Sequence, residues 1–360
     1  MPLTKVQSRG TENVGQGSSN VIINGAMNVA QRGASSTGLG ATSGYYTVDR
    51  YNLVVGGTDG RLTMSQDSSA PSGFANSLKL DCTTADTSIA SGEFLIIRQT
   101  IEAQNCQQFA KGTSDAKQFA LSFYVKGNAS ATYVAELVAD DVSRQISQTF
   151  SVTTDWTRVE IIFPADTTGA INDDNGAGLY FNIWLHGGSD YTGGSLSTTW
   201  SSITQANRAV GISSFFDSTD RTFFLTGVQL EVGSQVSDFQ HEDFGTTLRK
   251  CQRYYYLHSS GTTSFAGGGD MYTNTQLDCN IYFPVTMRST PSLVATSGTN
   301  YYLAYGNNTT TTMTNAWNIF APQNNCCTLY AVATSSVTAG SAMRVLANNS
   351  SASIAVDAEL

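Results

Sequence analysis

LSFYVK, residues 121–126, is the stretch that decides the fold. Leu121, Phe123 and Val125 alternate with Ser122, Tyr124 and Lys126, and a period of two places the two sets on opposite faces of a strand. One face is dry and the other wet, the pattern of an antiparallel sheet packed on a core by one side. Apolar runs of strand length precede it: VDRYNLVV (48–55), RLTMSQ (61–66), SLKLDC (77–82) and FLIIRQTIE (94–102). Others follow: TYVAELVAD (132–140), RQISQTFSV (144–152), WTRVEIIFP (156–164), LYFNIWLHG (179–187) and RTFFLTGVQLEVG (221–233). Gly, Asp, Asn and Ser separate them, so the spacing predicts a β-sandwich or barrel rather than alternating strands and helices.

The period changes at FGTTLRKCQRYYY (244–256), where Phe244, Leu248, Cys251 and Tyr255 recur at steps of four, three and four. That is the apolar stripe of a short amphipathic helix. Strand patterns resume with QRYYYLHSS, LDCNIYFPVTMR, PSLVATS, WNIFAPQ, CTLYAVATS, MRVLANN and SIAVDAEL. The resulting expectation is an all-β chain with a polar arm at 1–19, a sandwich at 20–238, a helical hinge at 239–256 and a smaller sandwich at 257–360. The four stripe residues are the predicted wedge between the two sandwiches.

Only 13% of the residues are charged against 40% hydrophobic, so hydroxyls and amides form much of the surface. The net charge of −9, with only 19 Lys and Arg along 360 residues, argues against a surface that tracks phosphates, and hence against nucleic acid as partner. No apolar run approaches the ~18 residues of a membrane-spanning helix, and MPLTKVQSRGTENV lacks a signal peptide's apolar core of ~7–15 residues. The expectation is a chain made in the cytoplasm without membrane insertion. Six cysteines, Cys82, Cys106, Cys251, Cys279, Cys326 and Cys327, read as reduced thiols, and the adjacent last two point to opposite faces of any strand.

Several segments in order resemble the tail-fibre and appendage proteins of tailed bacteriophages, many of them marine phages. They are MPLTKVQSRGTENV (1–14), NVIINGAMNVAQRG (20–33), YYTVDRYNLV (45–54), FFLTGVQLEVGS (223–234), FQHEDFGTTLRKCQRYYY (239–256), FPVTMRSTPSL (283–293) and DAEL (357–360). Within the first domain, FSVTTDWTRVEIIF (150–163) and VQLEVG are similar to jelly-roll carbohydrate-binding modules. The resemblance implies a virion protein, usually a homotrimer, assembled in the host cytoplasm and exposed on the particle. It also implies other tail or capsid proteins and host-surface glycan as partners. Lys5, Gln7, Arg9 and Asn13 then belong to an attachment arm that adds to a neighbour's sheet or threads a trimer axis. A head fibre or capsid decoration without a receptor role is the structural alternative, and a polysaccharide depolymerase the enzymatic one.

No GxSxG, HExxH or GxxxxGK[ST] motif is present, and the three histidines lie far apart, so no catalytic residue is assigned. For sugar, aromatic faces and amides are the relevant chemistry. WLHGGSDYTGG (184–194) offers Trp184, His186, Asp190 and Tyr191 in a Gly-rich setting, with Trp200 shortly after. Alternation in LYFNIWL puts Tyr180, Asn182 and Trp184 opposite the core-like Phe181, Ile183 and Leu185, which points Trp184 outward. Tyr301, Tyr302 and Trp317 form a comparable group in the second domain; for both groups, ordinary structural packing is the competing reading. Asp173, Asp174 and Asn175 suggest a structural calcium loop without the ligand spacing or terminal Glu of an EF-hand, and otherwise a solvated turn. No other cofactor is expected.

Overall fold

The structure, a computed structural model, describes residues 20–296, 298, 300–306, 309–313 and 317–360. The expected arm residues Lys5, Gln7, Arg9 and Asn13 lie outside the described residues. The chain is all-β and divides into two compact units. Of the described residues, the first comprises 20–27, Thr37–Gly44 and Asn52–His241, and the second comprises Asn28–Ser36, Tyr45–Tyr51 and the described part of Glu242–Leu360. Two short N-terminal segments, which strand spacing alone assigns to the first sandwich, therefore fold with the second.

Strands before the helical segment are β1 (Ser35–Leu39), β2 (Gly44–Tyr45), β3 (Asn52–Gly56), β4 (Arg61–Asp67) and β5 (Ser77–Thr84). They continue as β6 (Phe94–Glu102), β7 (Phe119–Gly127), β8 (Ala131–Ala139), β9 (Arg144–Val152) and β10 (Thr157–Phe163). The last are β11 (Ala177–Gly187), β12 (Ser201–Ser202) and β13 (Thr222–Val232), with a one-turn helix α1 (Ser189–Thr192) after β11. One sheet has the order β1-β4-β5-β13-β7-β10 and the other β12-β9-β8-β11-β6-β3-β2, a jelly-roll-like sandwich. The dry face of β7 is as predicted, with Leu121, Phe123 and Val125 fully buried, but on the other face Ser122 is buried too and Tyr124 and Lys126 are half-buried. Phe123 meets Phe150 of β9 edge-on at 5.1 Å and Phe181 of β11 at 6.1 Å, which packs one sheet on the other. Strand β13 carries a bulge between Thr226 and Gln229, where Gly227 sits at φ 62° and a Cβ would strike the Phe74 and Tyr124 rings.

Helix α2 (Phe244–Gln252) begins the main segment of the second unit, where the apolar stripe predicts it. Asp243 caps it by accepting the Thr246 N–H at 2.9 Å, and Arg249 and Lys250 occupy the last turn, favourable for the helix dipole. The predicted wedge is only partly buried. Cys251 and Tyr255 are buried and Leu248 is half-buried, but Phe244 is 58% exposed, and Thr247 takes the buried position of the first turns. A nine-residue helix has room to bury one narrow stripe, and here that stripe runs through Thr247 and Cys251.

The second unit continues with β14 (Tyr255–Ser260), β15 (Phe265–Met271), β16 (Gln276–Tyr282), β17 (Ser292–Thr296) and β18 (Tyr302–Gly306). Then come β19 (Thr309–Thr312), β20 (Asn318–Phe320), β21 (Cys326–Val332), β22 (Ala342–Ala347) and β23 (Ser353–Asp357). A three-stranded sheet, β14-β23-β17, and a seven-stranded sheet, β19-β18-β22-β15-β16-β21-β20, share a core that includes Ile354 and Val356 from one and Leu277, Leu329 and Val345 from the other. All six cysteines are free thiols. Among the described residues no helix is long and apolar enough to cross a membrane.

Candidate functional site

The face of the seven-stranded sheet of the first unit that looks away from the sandwich core carries a row of polar side chains. Strand pairing sets Asn52 of β3 against Arg98 of β6, Arg98 against Asn182 of β11, and Asn182 against Glu136 of β8. Residues directly opposite in an antiparallel pair share a face, so these four form one line across the sheet. Arg98 Nε donates to Asn182 Oδ1 at 2.8 Å, and Asn182 Nδ2 donates to Glu136 Oε2 at 2.8 Å. Arg208, from the segment after α1, clamps Glu136 with Nε on Oε1 at 2.8 Å and Nη2 on Oε2 at 2.9 Å. The Arg98 guanidinium lies 4.4 Å from the centre of the half-exposed Tyr180 ring, and Asn52 Oδ1 is buried with no hydrogen-bond partner among the described residues.

Arg98, Asn182, Glu136 and Arg208 are rigid because each is held by another. Glu136 is fully buried, which is tolerable for a carboxylate only when its charge is paired and its oxygens accept hydrogen bonds. What stays partly exposed is the Tyr180 ring, the Arg98 guanidinium and the Asn52 amide, whereas Asn182, like Glu136, is fully buried. A guanidinium and amides hydrogen-bond vicinal hydroxyls, and an aromatic face packs on the CH face of a sugar ring.

Trp184 does not point outward as predicted. It is 0% exposed and donates Nε1–H to Glu136 Oε2 at 2.8 Å. Its face of the sheet is covered by the chain after β11, so that Ile96, Val134 and Ala209 form a second small core around it, with the Tyr191 and Phe94 rings packed on it at a tilt. Strand alternation identifies two faces but not whether a later segment covers the second. Tyr191 remains half-buried, Asp190 is exposed within 3.3 Å of Ser91 Oγ, and Trp200 donates to the Pro164 carbonyl at 2.8 Å beside Phe119 and Lys111. The five residues of the predicted loop group therefore do not converge on one open site.

His186 is likewise fully buried, and for a different reason. A bulge in β11 between Trp184 and His186 sets His186 opposite Leu95, a core-facing position, and turns it to the other side of the sheet from Trp184. There it lies between Glu93 and Ser214, with Asp86 close by, a set of side chains with the donor types of a metal site. Burial holds its imidazole below the ordinary histidine range, against the opposing pull of Glu93 and Asp86.

In the second unit Tyr302 and Trp317 are core residues, meeting edge-on at 5.5 Å, with the Tyr302 hydroxyl donating to the Thr296 and Ser353 carbonyls. Tyr301 is half-buried on the same core. Asp173, Asp174 and Asn175 form an exposed turn in which Asp174 Oδ1 accepts the Gly176 N–H at 2.8 Å.

Sequence reading missed Asn52, Arg98, Glu136 and Arg208. A signal existed for two of them: Arg98 and Glu136 are charges in the middle of the largely apolar segments FLIIRQTIE and TYVAELVAD. A charge in such a strand needs a partner. Which partner depends on register, and Arg208 arrives from an irregular segment 72 residues beyond Glu136.

No family model matches the chain, and no curated protein matches it. Among solved structures it is similar to a CBM4 structure at 10% identity, covering 58% of this chain and 98% of that one with a TM-score of 0.31. A family 11 carbohydrate-binding module from Clostridium thermocellum, in complex with a β-1,3-1,4-mixed-linked tetrasaccharide, matches at 9% identity over 58% of this chain and 98% of that one, TM-score 0.28. A TmCBM61 structure in complex with β-1,4-galactotriose matches at 10% identity over 60% of this chain and 100% of that one, TM-score 0.29. Values this low assign neither ligand nor role to the present chain.

Proposed function

We propose that this chain is a noncatalytic virion appendage of the tail-fibre class whose first sandwich binds host-surface glycan. The observation that carries the glycan reading is the pre-organised row Asn52, Arg98, Asn182 and Glu136 beside the half-exposed Tyr180 ring. The hydrogen bonds that join Arg98, Asn182 and Glu136 are in place before any ligand arrives, so little ordering entropy is lost there on binding. The virion reading rests on the ordered segments from NVIINGAMNVAQRG to DAEL and on a surface of hydroxyls and amides. Homotrimer formation and attachment through the arm belong to the same reading.

Binding of purified full chain to an array of host-envelope polysaccharides, followed by titration of the best ligand, tests the first part. Undiminished binding after Arg98→Ala with Tyr180→Ala would remove this face as the site. Immunogold labelling of intact particles tests the second: label on the tail supports it, whereas label on the capsid shell or absence from the virion refutes it.

A further inference from the structure

We propose that Asp86, Glu93 and His186 hold one divalent ion of the zinc class, ligated by His186 Nε2 and an oxygen from each carboxylate. The three offer ligand atoms that all lie within 4.8 Å of one another, two from the loop between β5 and β6 and one from β11. Asp86 follows β5, Glu93 precedes β6, and His186 is turned toward both by the bulge near the end of β11. All three are buried: His186 is 0% exposed, and Asp86 and Glu93 6% each. Among the described residues no Lys or Arg forms an ion pair with either carboxylate, although elsewhere buried acids such as Glu136, Asp166 and Glu359 have one. Two buried carboxylates without a cation are costly, and a divalent ion supplies the missing charge.

The surrounding hydrogen bonds leave the ligand atoms available. Asp86 Oδ2 is occupied by Thr58 Oγ1–H at 2.8 Å and the Asp59 N–H at 2.9 Å, while Oδ1 has only the Ser88 N–H at 3.3 Å. Among the described residues no hydrogen bond reaches Glu93 Oε1. The His186 ring is set by Ser214, whose Oγ lies 2.8 Å from Nδ1. With the proton on Nδ1 facing Ser214, the Nε2 lone pair points at the carboxylates, the usual orientation imposed on a metal-bound histidine by its outer partner. The competing arrangement puts the proton on Nε2, donated to Glu93 at 3.3 Å, and needs no metal. A mixed imidazole and carboxylate set favours zinc and its neighbours over calcium, which takes six to eight oxygens. The ion would tie the loop between β5 and β6 to the end of β11, with Thr58 of the loop after β3 held to Asp86.

The test is the metal content of full-length protein made in zinc-supplemented medium and dialysed into metal-free buffer. The expected result is about one zinc per chain, a melting temperature lowered by chelator and restored by zinc, and no such response to calcium or magnesium alone. Glu93→Gln, which keeps the shape of the side chain, should lose the bound zinc. Ser214→Ala should weaken zinc binding by about 10- to 100-fold and serves where the first variant folds poorly. Cobalt in place of zinc should give ligand-field bands without a thiolate charge-transfer band, which separates this site from the free cysteines. Zinc below a tenth of an equivalent, full retention in both variants, a thiolate band, or stabilisation by calcium and not zinc would each overturn the assignment.

Discussion

Arg50 and Glu359, 309 residues apart in sequence, form a buried ion pair within the second unit. The Arg50 guanidinium also lies 3.4 Å from the centre of the Tyr254 ring, and Arg32 reaches Asp357 at 3.0 Å and Glu359 at 3.3 Å while covering Tyr255 at 3.7 Å. Arg50 holds a left-handed backbone at φ 76°, a conformation that costs a residue with a Cβ about 1–2 kcal/mol. The pair over-determines that strain: the C-terminal run DAEL fastens the two segments from the start of the chain into the second unit.

Removing one partner strands the other. Glu359→Ala is therefore expected to destabilise the second unit by about 3–5 kcal/mol, read by urea denaturation followed at a probe in that unit. The apolar pair Arg50→Met with Glu359→Leu should recover most of the loss, because neither charge then remains buried alone. Equal loss in the single and double variants would show that packing, not the pair, sets the effect.

For the glycan face the informative change is Arg98→Lys, which keeps the charge and removes the planar fork. Affinity for the selected glycan should fall by roughly 10- to 100-fold, the range for losing a charge-assisted hydrogen bond. Calorimetric titration of the folded variant measures it. The same variant should melt close to the parent temperature if Arg98 acts chiefly on ligand.

Glu136→Ala should behave differently. It leaves Arg208 without its carboxylate and removes the acceptor of Trp184 and Asn182, so stability is expected to drop by about 3–5 kcal/mol along with glycan binding. Thermal melts and binding measured together distinguish this support role from that of Arg98.

Acid sensitivity should trace to Asp166. Burial pushes its carboxyl up, but hydrogen bonds from Arg144 at 2.7 Å and from Lys111 outweigh it and hold the group below the ordinary carboxylate range. A lowered folded-state value makes the contribution complete above the unfolded carboxyl's ordinary value near ~4 and lost as pH falls through the folded value. Stability measured from about pH 6 downward should decline less steeply in Asp166→Asn than in the parent chain. Parallel slopes would contradict this assignment.

Trp317→Ala tests the reassignment of the second aromatic group. As a core residue beside Tyr302, its truncation should cost about 3–5 kcal/mol in denaturant unfolding while glycan affinity of the folded protein stays unchanged. A selective loss of glycan binding at unchanged stability would restore it as a ligand residue.

Period is a local property, and what depends on period was legible. LSFYVK gave a strand with Leu121, Phe123 and Val125 inside, and the stripe from Phe244 gave a helix whose Cys251 is buried. All-β character and the helix between two strand series followed from the sequence by itself. Register, bulges and coverage join residues far apart, and only the tertiary structure decided them. One extra residue in β11 turned His186 away from Trp184 and toward Asp86 and Glu93, because a bulge reverses the alternation that sequence reading must assume. The chain after β11 buried Trp184, and the DAEL run drew Arg32 and Arg50 into the second unit, since the partner that satisfies a buried charge need not be near it in sequence.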